Sequence, residues 1–432
     1  MVNELRRIAE IAKEEKKLKF ISLAHLLNQD NLRVCFHLLK AGKATGIDKV
    51  GIEEYEANLE SNLTRLVERL KRKTYKPKPV RRVYIPKSNG KLRPLGIPAV
   101  EDKIVQMAIT RILNAIYEQD FLECSYGFRP GRGCHEALKA LNDMIYKNRI
   151  NHIIDADIKG FFDNVDHEIL IRLLKYRVAD STLLQLIKSF LKGGVMEDDK
   201  YNETEIGTPQ GGILSPILAN IYLHYALDKW IEYVQAKAEG YVGIIRYADD
   251  FVICTRYQKT ARKVLENLTA RMSKYKLELA EDKTRQIEFG KYAKENARFK
   301  EKRTETFNFL GITHFCTKNR NGKFKIGRIT EKKKFQQKIK ELSKWLQGVM
   351  RTKAEEWWPI LRSKMMGHYQ YYGISENSKG IARYYFEAKG LLFKWMNKRS
   401  QKKSFNWKEF HNYLKRYCLP KPKIYYSFYV IS

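Results

Sequence analysis

Two short stretches hold carboxylates where the surrounding pattern calls for buried strand. Residues 244–254 read IIRYADDFVIC, with Asp249 and Asp250 between apolar, β-favouring runs, and residues 152–158 read HIIDADI, an apolar run carrying Asp157 at its end. Tyr-Ala-Asp-Asp also fits a solvated turn, since aspartate is a common turn residue. If the two runs are neighbours in one antiparallel sheet, their carboxylates converge at one edge. Clustered negative charges are costly unless cations occupy the site. Hard oxygen ligands suit Mg²⁺, which takes one or two protein carboxylates and completes its shell with water and phosphate. Two such ions stabilise both the attacking and the leaving oxygens of an in-line phosphoryl transfer.

The elements that must position these acids can be read from the pattern. Residues 1–75 read as helices broken at Gly42-Lys43-Ala44-Thr45-Gly46. Residues 77–98 read as a hairpin, Arg82-Val83-Tyr84-Ile85, a turn at Ser88-Asn89-Gly90, then Leu92 to Ile97, with arms rich in Lys and Arg. Helices are expected from about Glu101 to Glu118, from Asp166 to about Tyr176, over 213–235 after the break at Thr208-Pro209-Gln210-Gly211-Gly212, and near 258–275. From Glu331 onward the pattern is almost wholly helical. The fold class is therefore α+β, with a helical end.

Charge separates chemistry from grip. The chain of 432 residues carries a net +33, which implies a polyanionic partner. From Lys291 onward there are 34 Lys and Arg against 10 Glu, a balance of +24, and no Asp follows Asp282. Aromatics interleave with this basic end, as in Trp357-Trp358 and His368-Tyr369-Gln370-Tyr371-Tyr372. Flat rings stack on bases and cations neutralise phosphates, although rings at helical spacing also form buried faces. Six cysteines occur without a C-x-x-C pair, which argues against a zinc site or disulfide framework and fits a reducing cytosol. No run approaches the ~20 apolar residues of a membrane span, so a soluble, cytoplasmic protein is expected.

Seven blocks in order give these features a family likeness: Arg81 to Pro98, Ser125-Tyr126-Gly127-Phe128-Arg129-Pro130-Gly131-Arg132, Asp157-Ile158-Lys159-Gly160-Phe161-Phe162-Asp163, Gly207 to Pro216, Tyr247-Ala248-Asp249-Asp250, Glu281-Asp282-Lys283-Thr284 and Phe309-Leu310-Gly311-Ile312. The series resembles the block set of reverse transcriptases, most closely those encoded by bacterial group II introns, the intron maturases. Any one block is weak, but seven in order are highly specific.

The resemblance implies a right-hand polymerase with fingers, a palm built on an antiparallel sheet, and an all-helical thumb. The implied division is an N-terminal extension and start of the fingers at 1–75, fingers and palm at 76–300, thumb at 301–400 and a basic tail at 401–432. It implies that Asp157, Asp249 and Asp250 bind two Mg²⁺ ions, and that Phe162 excludes a 2′-hydroxyl. Lys87, Arg93 and Arg81 would meet the incoming triphosphate, Gln210 would lie in the loop against the nascent base pair, and Lys283 would donate a proton to the leaving pyrophosphate. Phe309-Leu310-Gly311 resembles a primer-supporting turn, and Gly367 to Gly373 a thumb signature. Asp155, Asp163 and Asp166 read as structural or capping residues, and Cys134-His135 as packing.

The implied partners are an RNA template, a DNA or RNA primer, deoxynucleoside triphosphates and group II intron RNA. Many intron-encoded members continue into an H-N-H endonuclease with paired cysteines. This chain is expected to lack it, so a mobile intron would need another primer, such as a replication fork. Two other readings stay open: a host reverse transcriptase serving DNA repair or phage defence, and an RNA-binding splicing factor with a silent polymerase site. Oligomeric state is not legible.

Overall fold

The computed structural model describes residues 2–40, 42–86, 92–197, 200–202, 206–207, 211–399 and 405–429. It is mixed helix and sheet with a helical C-terminal region. The described strands, in chain order, are β1 (Val80–Pro86), β2 (Leu92–Ile97), β3 (His152–Asp157), β4 (Val195–Glu197), β5 (Lys200–Asn202), β6 (Val242–Tyr247), β7 (Asp250–Thr255), β8 (Arg285–Glu288), β9 (Thr306–Phe309), β10 (Ile312–Lys318) and β11 (Phe324–Thr330). They form three sheets, ordered β2-β1-β4-β5, β6-β7-β3-β8 and β11-β10-β9.

The chain clusters into two compact units that are discontinuous in sequence. The first comprises Met1–Gly133, Ala156–Ile253 and Lys259–Arg285, and the second Cys134–Asp155, Cys254–Gln258 and Gln286–Ser432.

In the first unit β1 and β2 pair antiparallel, Arg81 opposite Ile97 and Ile85 opposite Arg93, as the hairpin reading of 77–98 expects. β4 adds to β1 in parallel. The helix Val100–Tyr117 has buried positions on most of its circumference, which makes it a core helix. Asp166 caps the helix His167–Leu174, its carboxylate accepting from the Ile169 N–H at 2.8 Å, in keeping with the capping role read from sequence. The helical stretch expected over 213–235 runs as Ser215–Leu223, a π turn at His224–Asp228, and Lys229–Lys237. A π turn inserts an extra residue and shifts the phase of the side chains that follow; Asp228, at its end, is fully buried.

In the second unit β9 and β10 are joined by Leu310 and Gly311, with Ile312 opposite Phe309. Both central residues have positive φ, +52° and +72°. That is the twist a two-residue hairpin favours, although leucine is an uncommon occupant. The Tyr371 hydroxyl donates to the Leu310 carbonyl at 3.0 Å and holds the turn. His135 Nε2 meets the Tyr371 carbonyl at 2.8 Å, and the imidazole stacks on Tyr426 at 3.7 Å, which is the packing role expected of it. The segment 301–400 is thus not all-helical as expected, since the alternating apolar residues of β9–β11 build a three-stranded sheet before the helices Lys332–Val349, Ala354–Tyr372, Ser378–Asn397 and Trp407–Arg416.

Candidate active site

Asp157 is the last residue of β3 and Asp250 the first of β7, and these strands are neighbours. Ala248 and Asp249 are the two turn residues between β6 and β7. Ala248 has φ +57°, a conformation that costs an L-residue free energy and must be held by its surroundings.

Those surroundings are a buried polar network. Arg246, wholly buried, grips Asp228 through Nε at 2.7 Å and Nη2 at 2.6 Å. Its remaining donors reach the Asn220 amide oxygen and the Ala248 carbonyl, each at 3.0 Å, and the Ser125 hydroxyl at 2.7 Å. The guanidinium thus ties the turn's own backbone to a helix and to the Ser125-Tyr126-Gly127 segment. That segment lies along β6, with the Tyr126 N–H donating to the Arg246 carbonyl at 2.8 Å. Gly127 has to be glycine, because a Cβ there would come within 2.3 Å of the Ala248 nitrogen.

Asp157 is held from the other side. Its carbonyl accepts from the Ala280 N–H at 2.8 Å, and Lys159 N–H donates to the Glu278 carbonyl at 2.9 Å. The turn after Ala280 delivers Lys283, whose ammonium is ion-paired with the Asp157 carboxylate. That bond, first among the causes, holds the Lys283 pKa above its ordinary value, with further help from Asp282 and Asp249.

Burial, and after it the charge of Asp157, push the Asp249 carboxyl above the usual aspartate range, while Arg93 and Arg246 pull it back. Asp249 therefore lies within electrostatic reach of Asp157, Lys283 and Arg93. Among the described residues no group of three or more His, Cys, Asp and Glu side chains is disposed to hold one metal ion. Two neighbouring carboxylates still match the one or two protein ligands that Mg²⁺ takes when water and phosphate supply the rest.

The other expected residues fall in different places. Phe161 is buried, while Phe162 is half-buried and packs edge-on to it at 5.4 Å. Gly207 packs on the backbone under that turn: a Cβ would lie 3.0 Å from the Phe162 carbonyl oxygen and 2.9 Å from that of Asp163. Gly211 lies as tightly on β2, 2.7 Å from the Gly96 carbonyl by the same measure. The Gln106 side chain anchors the chain just beyond, accepting from Ile213 N–H at 2.9 Å. Arg81 is engaged elsewhere, donating from Nε and Nη2 to the Thr45 carbonyl at 3.0 and 2.7 Å. Lys87 and Gln210 lie outside the described residues.

Sequence reasoning missed Arg246, Asp228 and Asn220. The available signal was an arginine inside an otherwise apolar strand next to paired aspartates, because a buried guanidinium demands a buried carboxylate.

A family model described as reverse transcriptase (RNA-dependent DNA polymerase) matches residues 85–314. The chain is similar to group II intron-encoded protein LtrA of Lactococcus lactis subsp. cremoris, 42% identical over 235 residues that cover 54% of this chain and 39% of that protein. It is also similar to Protein YkfC of Escherichia coli (strain K12), 34% identical over 288 residues covering 59% of this chain and 75% of the other. A shorter likeness, 33% over 131 residues, links it to nuclear intron maturase 4, mitochondrial, of Arabidopsis thaliana, covering 30% of this chain and 16% of that one. The chain thus spans well under half the length of the Lactococcus relative. With a match over more than half of its residues, and Asp157, Asp249, Asp250 and Lys283 all inside it, this chain belongs to the reverse transcriptase family.

Proposed function

We propose that the protein is an RNA-directed DNA polymerase that also binds group II intron RNA to assist splicing and retrohoming. The observation that carries the reading is that Asp157, at the end of β3, and Asp249, in the turn before the neighbouring β7, lie within electrostatic reach of each other, with Lys283 paired to Asp157 and Arg93 acting on Asp249. Relatives named as a group II intron-encoded protein and an intron maturase support the intron setting. In this reading 76–300 form the fingers and palm of a right-hand polymerase, 301–400 its thumb, and 1–75 and 401–432 the extensions. No helix among the described residues is long and apolar enough to cross a membrane, and the intracellular setting of an intron RNA fits the unpaired cysteines.

The reaction is attack of a primer 3′-hydroxyl on the α-phosphate of a deoxynucleotide, with pyrophosphate leaving. Asp157, Asp249 and Asp250 would hold two Mg²⁺ ions, which when bound polarise the attacking and leaving oxygens. Arg93 and Lys87 would neutralise the triphosphate. Arg81 braces the segment around Thr45 and serves the site indirectly. The backbone around Gln210 would face the nascent base pair, supported by the close seat of Gly211 on β2.

Lys283 has to leave Asp157 before it can donate a proton, because a lysine whose pKa is held up by a carboxylate is too weak an acid. Lys283→Ala should slow single-turnover extension by about 10²-fold, the low end of general-acid effects, with little change in RNA affinity. Lys283→Arg, a cation that does not give up its proton, should stay slow. An arginine variant with full rate would leave the lysine a purely electrostatic role.

Phe162 is the aromatic ring left at the surface of the turn once Phe161 fills the core. Trimming it to Ala should admit a 2′-hydroxyl and lower the preference for deoxy- over ribonucleotides by about 10²-fold. Paired kcat/KM measurements for the two nucleotide types check this, and unchanged discrimination would make Phe162 a packing residue.

The experiment that tests the whole reading is primer extension on an RNA template with deoxynucleotides and Mg²⁺, run beside the Asp249→Ala, Asp250→Ala double variant. Extension by the natural protein alone supports it. Tight RNA binding without extension by either protein would favour the splicing factor with a silent site.

A further inference from the structure

Both described ends of the stretch 207–214 are held by buried side chains that come from other helices of the first unit. At the first end His167, which opens the helix His167–Leu174 and is only 4% exposed, meets the Gly207 carbonyl through Nε2 at 2.6 Å. A carbonyl can only accept, so Nε2 carries the proton and donates. The Gly207 N–H donates in turn to the Val165 carbonyl at 2.9 Å. At the second end Gln106, from the helix Val100–Tyr117 and 6% exposed, accepts at one oxygen from the Ile213 N–H at 2.9 Å and the Leu214 N–H at 3.4 Å. Thr110, one turn along the same face, donates its hydroxyl to the Ile213 carbonyl at 3.4 Å.

Buried N–H groups need acceptors, and the helix Ser215–Leu223 starts without a side-chain cap, which accounts for one acceptor near its first turn. It does not account for a second clamp at Gly207. What the two clamps share is the pair of elements between which they hold the chain. Gly207 is pressed on the backbone of Phe162 and Asp163, in the turn that follows Asp157, and Gly211 on Gly96 of β2, the strand that carries Arg93. Gln210 lies between the clamps in sequence. A shift of this stretch therefore changes its distance from both elements at once.

We propose that Gln106 and His167 are positioning residues for base selection: by fixing both ends of 207–214 they set how closely its backbone and Gln210 approach the nascent base pair, and so how sharply a mismatched deoxynucleotide is rejected. The proposal rests on the reading above that this stretch faces that base pair. Rejection of a mispair is a difference in transition-state binding, and a wall that gives way accommodates the wrong shape. Misplacement by about 1 Å, caused by a change remote from the chemistry, can cost up to ~10²-fold.

The test is single-nucleotide primer extension by the full chain on an RNA template, with kcat and KM measured for the matched deoxynucleotide and for one mismatch. Gln106→Met keeps the length of the side chain and removes the acceptor. It should raise the matched KM about 10-fold while kcat changes less than about 3-fold, and should lower the matched-to-mismatched ratio of kcat/KM about 10-fold. Gln106→Glu, which returns an acceptor oxygen whether or not it is ionised, should recover most of both. His167→Met and His167→Gln form the equivalent pair at the other clamp, because glutamine keeps a donor near the place of Nε2. Thr110→Val removes only one long contact, so it keeps the measurement available if a methionine variant does not fold, and should lower the ratio about 2-fold.

A purely structural role would lower the melting temperature and slow matched and mismatched nucleotides alike. Unchanged discrimination in every folded variant, or a loss that glutamate and glutamine do not recover, would overturn the positioning role and leave the polymerase reading standing. A natural protein that extends no primer would overturn both.

Discussion

Replacing Asp249 with asparagine should lower RNA-templated primer extension by at least about 10³-fold, because in the proposed role its carboxylate would hold metal that supplies several kcal/mol of charge stabilisation in the transition state. The same variant should melt at the same temperature as the natural protein or higher. Burial, and then Asp157, hold the Asp249 carboxyl above its ordinary value. A carboxylate with a raised folded pKa binds its proton more tightly folded than unfolded, so at neutral pH its ionised form penalises the fold, and that penalty fades as pH falls through the folded value. Asparagine removes the charge and the penalty together. Loss of activity without loss of stability would mark Asp249 as a residue kept for function, whereas loss of both would make it structural. The same shift predicts that the Mg²⁺ concentration for half-maximal extension rises on acidification, since proton and metal compete for one carboxyl. That rise should begin at a higher pH than an exposed aspartate would produce.

Arg246→Met should be the most destabilising single change near the site. It strands Asp228, whose side chain is fully buried, without its counter-ion. Breaking one side of a buried ion pair costs about 3–5 kcal/mol, a large part of the ~5–15 kcal/mol that holds a domain folded. Chemical denaturation measures the loss directly. Adding Asp228→Leu should restore much of the stability, because an apolar pair of similar volume replaces the stranded charge. It should not restore polymerisation. Arg246 also donates to the Ala248 carbonyl and to Ser125 and Asn220, and those contacts hold the positive-φ turn that carries Asp249. A stable but inactive double variant would establish Arg246 as the residue that positions the aspartate turn. A fully active one would show that the turn keeps its shape through packing alone, with Gly127 lying against Ala248.

Much of the fold was readable from local pattern. Hairpin arms about a Ser-Asn-Gly turn marked β1 and β2, apolar runs marked β3, β6 and β7, and a helix was read from Asp166 onward. These features depend on period and on chemistry within a few residues, which is the range over which a chain reports its own conformation. Asp157, Asp249 and Asp250 stood out for the same reason, whereas Lys283 was singled out only by the family resemblance. The drift of positive charge toward the C-terminal end was legible because it is a sum over residues and needs no structure.

What the sequence determined by itself, then, is the set of elements, the acids at their ends and the polyanionic partner. The tertiary structure decided the pairings. Lys283 reaches Asp157 across 126 residues, and Arg246 reaches Ser125 across 121. Arg81, grouped by motif with the phosphate-binding cations, is instead taken up by the Thr45 carbonyl 36 residues before it. The aromatic run around His368 was equally ambiguous as core or as binding surface until packing set the imidazole against Tyr384 and Tyr372 inside the helical region. Periodicity specifies which face of an element is apolar, but only the folded chain brings a buried charge to its partner, and a buried charge without one cannot be sustained.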